Sequence, residues 1–403
     1  MKTIVFVESN TTGTGELFFK RAEELGFSTL FLTRNPKLYS EAFSQFEQLS
    51  CNTNCPDEII ETLSKEKVEV WAIYSSSEYY IHICSIVARR LGLPGPNPEA
   101  IGICRNKYLA REVLKTHGIS VPWFTKLSKL EELNEIEDTR FPLIIKPTMD
   151  SGSQGVKVVC SLDEAREHAR NLLDKKQNIR NQPIPSYILL EEYIEGQEYS
   201  VETFAFNGKN YLVGVTQKLL DLNSDVLEVG HDFPVVDPTI ASLLEQATQD
   251  SLQSVGLDWG PSHTEIRMRN NLPYIIEINP RLAGGMIPKL IQDSIGIDMI
   301  ADTMMLIARQ KNKFEFTPKF HKYSSIRFII PNRDGHIKSV SIPENSQGCE
   351  IVLYQPKIAS YFRKSWDFRD RIGHVITVDK DPRKAASHAQ AILKEVHIHY
   401  VEQ

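Results

Sequence analysis

Two acidic residues and a carboxamide stand at spacings that suit a divalent cation. The stretch Ser262–Gly285 reads SHTEIRMRNNLPYIIEINPRLAGG, with two apolar–polar alternating runs, Thr264–Met268 and Tyr274–Asn279, on either side of Asn270 and Asn271. Alternation around a turn-forming pair is the pattern of a β-hairpin. Pairing centred near Asn271 sets Glu265 across from Glu277. Cross-strand neighbours have Cβ atoms roughly 4.5–5.5 Å apart, where like charges repel unless a cation lies between them. A period of two puts Glu277, Asn279 and Arg281 on one face and Ile276 and Ile278 on the other. Carboxylate and carboxamide oxygens are hard ligands of the kind Mg²⁺ takes while it holds nucleotide phosphates. The planar fork of Arg281 suits a phosphoryl oxygen. A surface hairpin whose charges face water fits the same stretch, so the rest of the chain has to decide.

Upstream lie groups that could neutralise a triphosphate. A strand at Phe141–Pro147 carries Lys146, and a second strand is expected at Val156–Cys160. Between them runs Thr148–Gly155 (TMDSGSQG), which includes Ser151, Gly152, Ser153 and Gly155. A glycine-rich loop between two strands can act as a flap, because its free N–H groups close over phosphates without side-chain clashes. It is not a P-loop, since no Gly-Lys-Ser/Thr ends it. Lys107, in a helix expected after the Pro94, Pro96 and Pro98 connector and shared with Asn106 and Arg111, is a second cation. The apolar strand Ile188–Leu190 leads through Glu191, Tyr193 and Ile194 to a turn at Gly196, and Glu198 opens the run that emerges as Tyr199–Phe206. The backbone of such a strand can pair with an adenine edge, and a downstream acid can take ribose hydroxyls. An acidic turn in an ordinary hairpin is the competing explanation.

The elements that must position these groups begin with Thr3–Glu8, Phe27–Leu32 and Val68–Tyr74 as strands, alternating with helices up to Leu25, at Ile59–Lys65 and at Tyr80–Leu91. Strand–helix alternation implies a parallel sheet with right-handed crossovers. Gly13 and Gly15 follow the first strand, but the third glycine of a dinucleotide fingerprint and the acid at the end of the second strand are missing. Ligands of open α/β sheets sit beyond the carboxyl ends of strands. That makes Ser76 and Glu78, in Ser75–Glu78, candidates for substrate contact, with helix capping by the serines an equal alternative.

With 403 residues the chain exceeds one core, and 41% apolar with 24% charged residues describe an ordinary globular protein. A net charge of −6 argues against a general nucleic-acid surface. No stretch approaches the roughly 20 apolar residues of a membrane helix, and no signal peptide is evident. The six scattered cysteines, of which only Cys51 and Cys55 are close, suit reduced thiols rather than a zinc site. A cytoplasmic protein is expected.

Taken in order, Lys107, Lys146, the loop Asp150–Val156, Glu191–Ile194 with Glu198, Glu265, and Glu277-x-Asn279-x-Arg281 resemble the ATP-grasp superfamily. Within it, Glu277–Pro288 (EINPRLAGGMIP), Pro261–Glu265 (PSHTE) and Val229–Pro234 (VGHDFP) resemble the dipeptide-forming L-amino acid ligases. The fold class implied is α/β and α+β: an ATP-grasp fold with an N-terminal parallel α/β domain over 1–95, nucleotide-binding lobes over 96–310 with a flap lobe at about 115–190, and a small C-terminal α+β domain over 311–403. Strands at Tyr323–Ile330, Val340–Ile342, Ile351–Tyr354 and His374–Val378 and a helix at Asp381–Val396 are expected there, after a linker at Arg309–Lys319.

The resemblance implies that Lys107 and Lys146 bind the α- and β-phosphates of ATP, that Glu191 and the Tyr193–Ile194 backbone hold adenine, and that Glu198 holds ribose. Ser151–Gly155 would be the lid. Glu265, Glu277 and Asn279 would ligate two Mg²⁺ ions, with Mn²⁺ a possible substitute, and Arg281 would stabilise phosphoryl transfer. The reaction implied is attack of a carboxylate on the γ-phosphate, followed by displacement of phosphate by an amine. Lys218, expected just after a strand at Tyr211–Gln217, is a candidate for substrate contact or for deprotonating the amine. So are His231, in an expected loop Asp221–Val236 with Glu228, and His263, on the strand face of Glu265. Gly284 and Gly285 would let backbone approach the substrate. Amino acids or related small acids and amines are the substrates expected; a carrier-bound acceptor and a homodimer stay open. The rival readings are a bicarbonate-using carboxylase of the biotin carboxylase type and a nucleotide-binding protein without turnover.

Overall fold

The structure, a computed structural model, describes residues 2–11, 15–221, 224–310, 316–343, 348–354, 358 and 360–401. Gly13 and residues 311–315 of the expected linker lie outside this set. The N-terminal sheet holds β1 (Thr3–Val7), β2 (Ser28–Thr33), β3 (Gln48–Ser50) and β4 (Val70–Tyr74), all parallel, in the order β3-β2-β1-β4. Ile4 and Phe6 of β1 pack into one core with Phe19 and Phe31, while Val5 and Val7 pack into another with Leu30, Ile59 and Ile73. Burial of both faces is what a parallel sheet requires. The covering helices α1 (Gly15–Glu24), α2 (Pro56–Lys65) and α3 (Ile81–Arg90) bear out the expected alternation.

The single helix expected after the prolines is two, α4 (Pro98–Arg105) and α5 (Lys107–Thr116). Asn106 breaks it: its side chain accepts from the N–H groups of Tyr108 and Leu109, a standard N-cap. The Lys107 N–H then bonds to the Thr148 carbonyl, 2.9 Å away, and so places Lys107 on the flap loop.

The flap sheet contains β5 (Phe124–Leu127), β6 (Leu143–Pro147), β7 (Lys157–Val159) and, after helix α6 (Leu162–Leu173), β8 (Ile188–Glu192), in the order β5-β8-β6-β7. An eight-stranded sheet follows. It is built from β9 (Gln197–Phe206), β10 (Lys209–Asp221), β11 (Ser224–Phe233), β12 (Gly260–Arg269) and β13 (Leu272–Asn279), with helix α7 (Pro238–Val255) between β11 and β12. Helices α8 (Ile287–Ile295) and α9 (Met299–Ile307) then lead to β14 (Tyr323–Ile329), β15 (Gly335–Ser341), β16 (Cys349–Leu353), β17 (Tyr361–Phe362), β18 (Gly373–Asp379), α10 (Pro382–Glu395) and β19 (His397–Tyr400). The large sheet runs β13-β12-β9-β10-β11-β14-β18-β16, and β17-β15-β19 form a small sheet beside it. Asp381 caps α10 as its sequence position suggested, accepting from the N–H groups of Arg383 and Lys384.

Two further expectations are corrected. The stretch Asp221–Val236 is not a loop over the site: most of it is β11, paired with β10 on one side and β14 on the other. Lys218 lies within β10, not after a strand.

Candidate active site

The hairpin β12–β13 turns at Asn270 and Asn271, both left-handed (φ 53° and 62°), a conformation that matches the twist of paired strands. Counting from that turn, Arg269 pairs with Leu272 and Ile266 with Ile275; the register then slips, and Glu265 pairs with Glu277. The slip is a bulge at Ile276. It overturns the simple alternation: Ile275 and Ile278 enter the core, whereas Ile276 joins Glu277, Asn279 and Arg281 on the wall of a cavity of about 380 Å³. The cavity also reaches Lys107, Lys146, Glu191, Ile194, Glu198, Lys218, His231, His263 and Glu265. Thus one space collects most of the residues singled out from the sequence.

At one end of the cavity, Lys146 in β6 pairs with Glu191 in β8, and Arg111 Nε donates to the other Glu191 oxygen at 3.1 Å. Arg111 also donates to the Ile276 carbonyl at 2.7 Å, which ties the bulge to α5. Burial would push the Glu191 carboxyl up, but Arg111 and Lys146 outweigh it and hold it ionised. Burial pulls Lys146 down, only partly offset by Glu191. Lys107 Nζ sits 2.7 Å from the Asp150 carbonyl and 2.8 Å from Glu277 Oε1.

The glycine loop is folded down on the site. Tyr79 Oη donates to Asp150 at 2.6 Å, and Ser151 Oγ to Glu78 at 3.4 Å. Gly152 (φ +68°) lies so close to Phe368 that an added Cβ would come within 2.6 Å of its ring. Ser151, Gly152 and Ser153 line the cavity; Gly155 packs instead against Pro147 and Leu172, and its carbonyl meets His168. Ser76 is likewise off the cavity wall: its hydroxyl bonds to Ser9 Oγ and the Asn10 N–H, joining the ends of β1 and β4. Tyr193 is also set back, its ring under the Arg267 guanidinium.

Glu78 is a strut. It takes Arg105 at 2.6 Å and Arg281 Nε at 2.8 Å. Burial raises its pKa, yet Arg281, Arg105 and Lys107 together hold it at about 2. With its amide turned so that nitrogen faces Glu78, Asn279 donates to both Glu78 oxygens at 2.8 and 3.1 Å.

On the far side, Lys218 is surrounded by Glu198 (2.8 Å), Glu228 (2.6 Å) and Glu265 (3.3 Å). Burial disfavours its charge, but the three carboxylates raise its pKa well above the ordinary value. Arg267 holds Glu198 at 3.0 Å, and Arg371 holds Glu228 at 2.7 Å. Glu198 therefore already has two cations as partners. His263 lies between Glu202 (2.8 Å) and Glu265 (3.1 Å); burial lowers its pKa, but the two acids raise it to about 9. His231 is pushed down to about 3 by burial.

The donor set fits Mg²⁺. Two carboxylates at paired positions and the Asn279 side chain face one cavity, and each carboxylate meets a lysine ammonium where a divalent cation would serve the same electrostatic purpose.

Arg105, Arg111, Arg267 and Arg371 and the aromatic residues Tyr79, Phe328, Tyr354 and Phe368 were not singled out as site residues. Lys107 and Arg111 are four apart on α5, hence on one helix face, which is a readable signal. The others meet the site only through tertiary structure.

Residues 139–289 match the ATP-grasp domain family, and residues 327–401 match L-amino acid ligase C-terminal domain 2. An uncharacterised protein of Sinorhizobium fredii is 27% identical over 386 residues, spanning 94% of this chain and 78% of the relative. An L-arginine-specific L-amino acid ligase of Bacillus subtilis is 25% identical over 273 residues, 66% of this chain and 64% of the relative. The crystal structure of an L-amino acid ligase from Bacillus licheniformis superimposes with a TM-score of 0.83 at 18% identity, covering 100% of this chain and 99% of that one. The expected ATP-grasp fold is borne out: residues 139–289 carry an ATP-grasp domain, and residues 327–401 carry an L-amino acid ligase C-terminal domain 2.

Proposed function

We propose that the chain is an ATP-dependent carboxylate–amine ligase that joins amino acids through an acyl phosphate. The observation that carries this reading is the convergence of Lys107, Lys146, Glu265, Glu277, Asn279 and Arg281 on one cavity beneath a closed glycine loop. The C-terminal family match supports an amino acid ligase over a carboxylase. Units at 1–95, 96–310 and 311–403, a cytoplasmic setting and two Mg²⁺ ions, replaceable by Mn²⁺, belong to the same reading.

A substrate carboxylate oxygen attacks the γ-phosphorus, the new O–P bond forms as the bond to the β–γ bridging oxygen breaks, and ADP leaves. Lys146 and Lys107 neutralise phosphate charge, and Arg281, oriented by Glu78, meets the moving phosphoryl group. Glu265, Glu277 and Asn279 would hold Mg²⁺, which would supply further charge neutralisation. An amine then attacks the acyl carbon, the C–O bond to phosphate breaks, and inorganic phosphate departs. Lys218 and His263 stay protonated at neutral pH, and His231 is a weak base. We assign the amine's proton to the departing phosphate or to solvent. The closed loop keeps water from the acyl phosphate.

The test is purified protein with ATP, Mg²⁺ and amino acids. ADP, phosphate and a new amide mass are expected. AMP with pyrophosphate overturns the acyl-phosphate route, bicarbonate-dependent ADP release favours the carboxylase, and no turnover favours a non-catalytic nucleotide binder.

A further inference from the structure

The chemistry above leaves His231 without a proton-transfer role, yet the residue is unusual for a structural one. It is fully buried on β11, neither ring nitrogen has a hydrogen-bond partner among the described residues, and it lies on the cavity wall. Buried polar groups are normally paired, because an unmet donor or acceptor loses its hydration for nothing. A neutral imidazole offers one donor and one acceptor.

Apolar groups crowd one side of the ring, while Glu228 Oε2 lies 3.7 Å from Nε2, beyond hydrogen-bond reach. The Phe328 ring stands edge-on to the imidazole with centroids 5.4 Å apart. Gly285 comes so near that a Cβ there would lie 2.5 Å from His231 Nε2. Met286, Ile287 and Tyr354 continue the cavity lining. The charges nearby are committed to one another. Lys218 is shared by three carboxylates. The Glu228 oxygens are divided between Lys218 and Arg371, and Arg371 lies 3.8 Å over the Phe328 ring. A cationic side chain entering here would have to displace a buried cation from Glu228, and an anionic one would have to draw Arg371 or Lys218 from its acid.

We infer that this corner of the cavity receives an uncharged amino-acid side chain, its apolar body against Phe328 and Met286 and one hydroxyl or amide group bonded to His231. The inference rests on the ligase reading and narrows its substrate class.

The experiment measures ADP release by the intact protein with the common L-amino acids, singly and in pairs, and then repeats it with His231→Phe. Neutral amino acids bearing a hydroxyl or amide are expected to be used at least ~100-fold more efficiently (kcat/KM) than arginine, lysine, aspartate or glutamate, the scale set by leaving a buried charge unpaired. His231→Phe is expected to raise KM for the hydroxyl and amide substrates by ~10-fold, the scale of one lost hydrogen bond, while leucine and methionine change by less than ~3-fold. Charged amino acids used within ~10-fold of neutral ones, or a His231→Phe effect equal for all substrates, would overturn the inference and leave the ligase standing. No ADP release with any amino acid would remove the ligase reading and this inference together.

Discussion

Glu265 and Glu277 face each other across the hairpin, yet each carboxylate is met by its own cation: Glu277 by Lys107 at 2.8 Å, and Glu265 by Lys218 at 3.3 Å and His263 at 3.1 Å. The like-charge repulsion expected of such a pair is thereby relieved without bringing the two acids into contact.

That arrangement predicts separable effects on folding and turnover. Lys107 keeps its bond to the Asp150 carbonyl when Glu277 is removed. Glu277→Ala should therefore shift Tm by only a few degrees but lower ADP release by ~10³-fold at saturating Mg²⁺. Chelation of divalent ions should abolish turnover of the native protein, and added Mg²⁺ should restore it. Retained activity in the variant would remove Glu277 from the ligand set.

The two buried histidines predict a stability maximum near pH 6.5 in metal-free protein. His263 is raised to about 9, so its contribution is complete below about 6.5 and is lost as pH rises toward 9. His231 is lowered to about 3, so the unfolded chain takes a proton there first and stability falls as pH drops below about 6.5. Each limb is worth a few kcal/mol, on the order of 1.4 per pKa unit. Denaturant titrations against pH should show the dome; His263→Gln should flatten the alkaline limb and His231→Phe the acid limb.

Flap closure can be probed at Gly152. Gly152→Ala places a methyl against the Phe368 ring and forces a left-handed alanine, so slower turnover by ~10-fold and a loss of ~1 kcal/mol are expected. Adding Phe368→Ala should recover the turnover but not the backbone term. Equal loss in single and double variants would show that the ring is not the obstacle.

Arg111 links Glu191 to the Ile276 carbonyl from a fully buried position. Arg111→Met should cost ~3–5 kcal/mol in denaturant unfolding, since Glu191 loses one of its two cations in the interior. A change under ~1 kcal/mol would mean that Lys146 alone compensates Glu191.

The hairpin was legible because period-two alternation and an Asn–Asn turn are local properties; so was the N-terminal sheet, whose apolar runs alternate with helical ones. The Glu265–Glu277 pairing is observed, although the turn centre lies between Asn270 and Asn271 and a bulge supplies the missing half step. A bulge leaves no composition signal, so Ile276 was assigned to the wrong face. Lys107 and Lys146 were legible as cations near a glycine loop, but their carboxylate partners were not, because Glu277 is 170 positions from Lys107 in the chain. Ser76 fits either a ligand contact or a helix cap by sequence, and its actual bonds to Ser9 and Asn10 depend on β1, some 67 positions away. Strand β11 was read as loop because its flanking ladders are formed with β10 and with the distant β14.

The register of β14 against β11 joins the C-terminal strands to the sheet that carries Lys218 and His231. Cutting the chain ahead of Tyr323 would strip β11 of its neighbour and leave a bare row of N–H and C=O groups, an invitation to aggregation. Fragments ending there would report on precipitation rather than on nucleotide chemistry, so the role of the last eighty or so residues is better addressed by point substitution in the full chain.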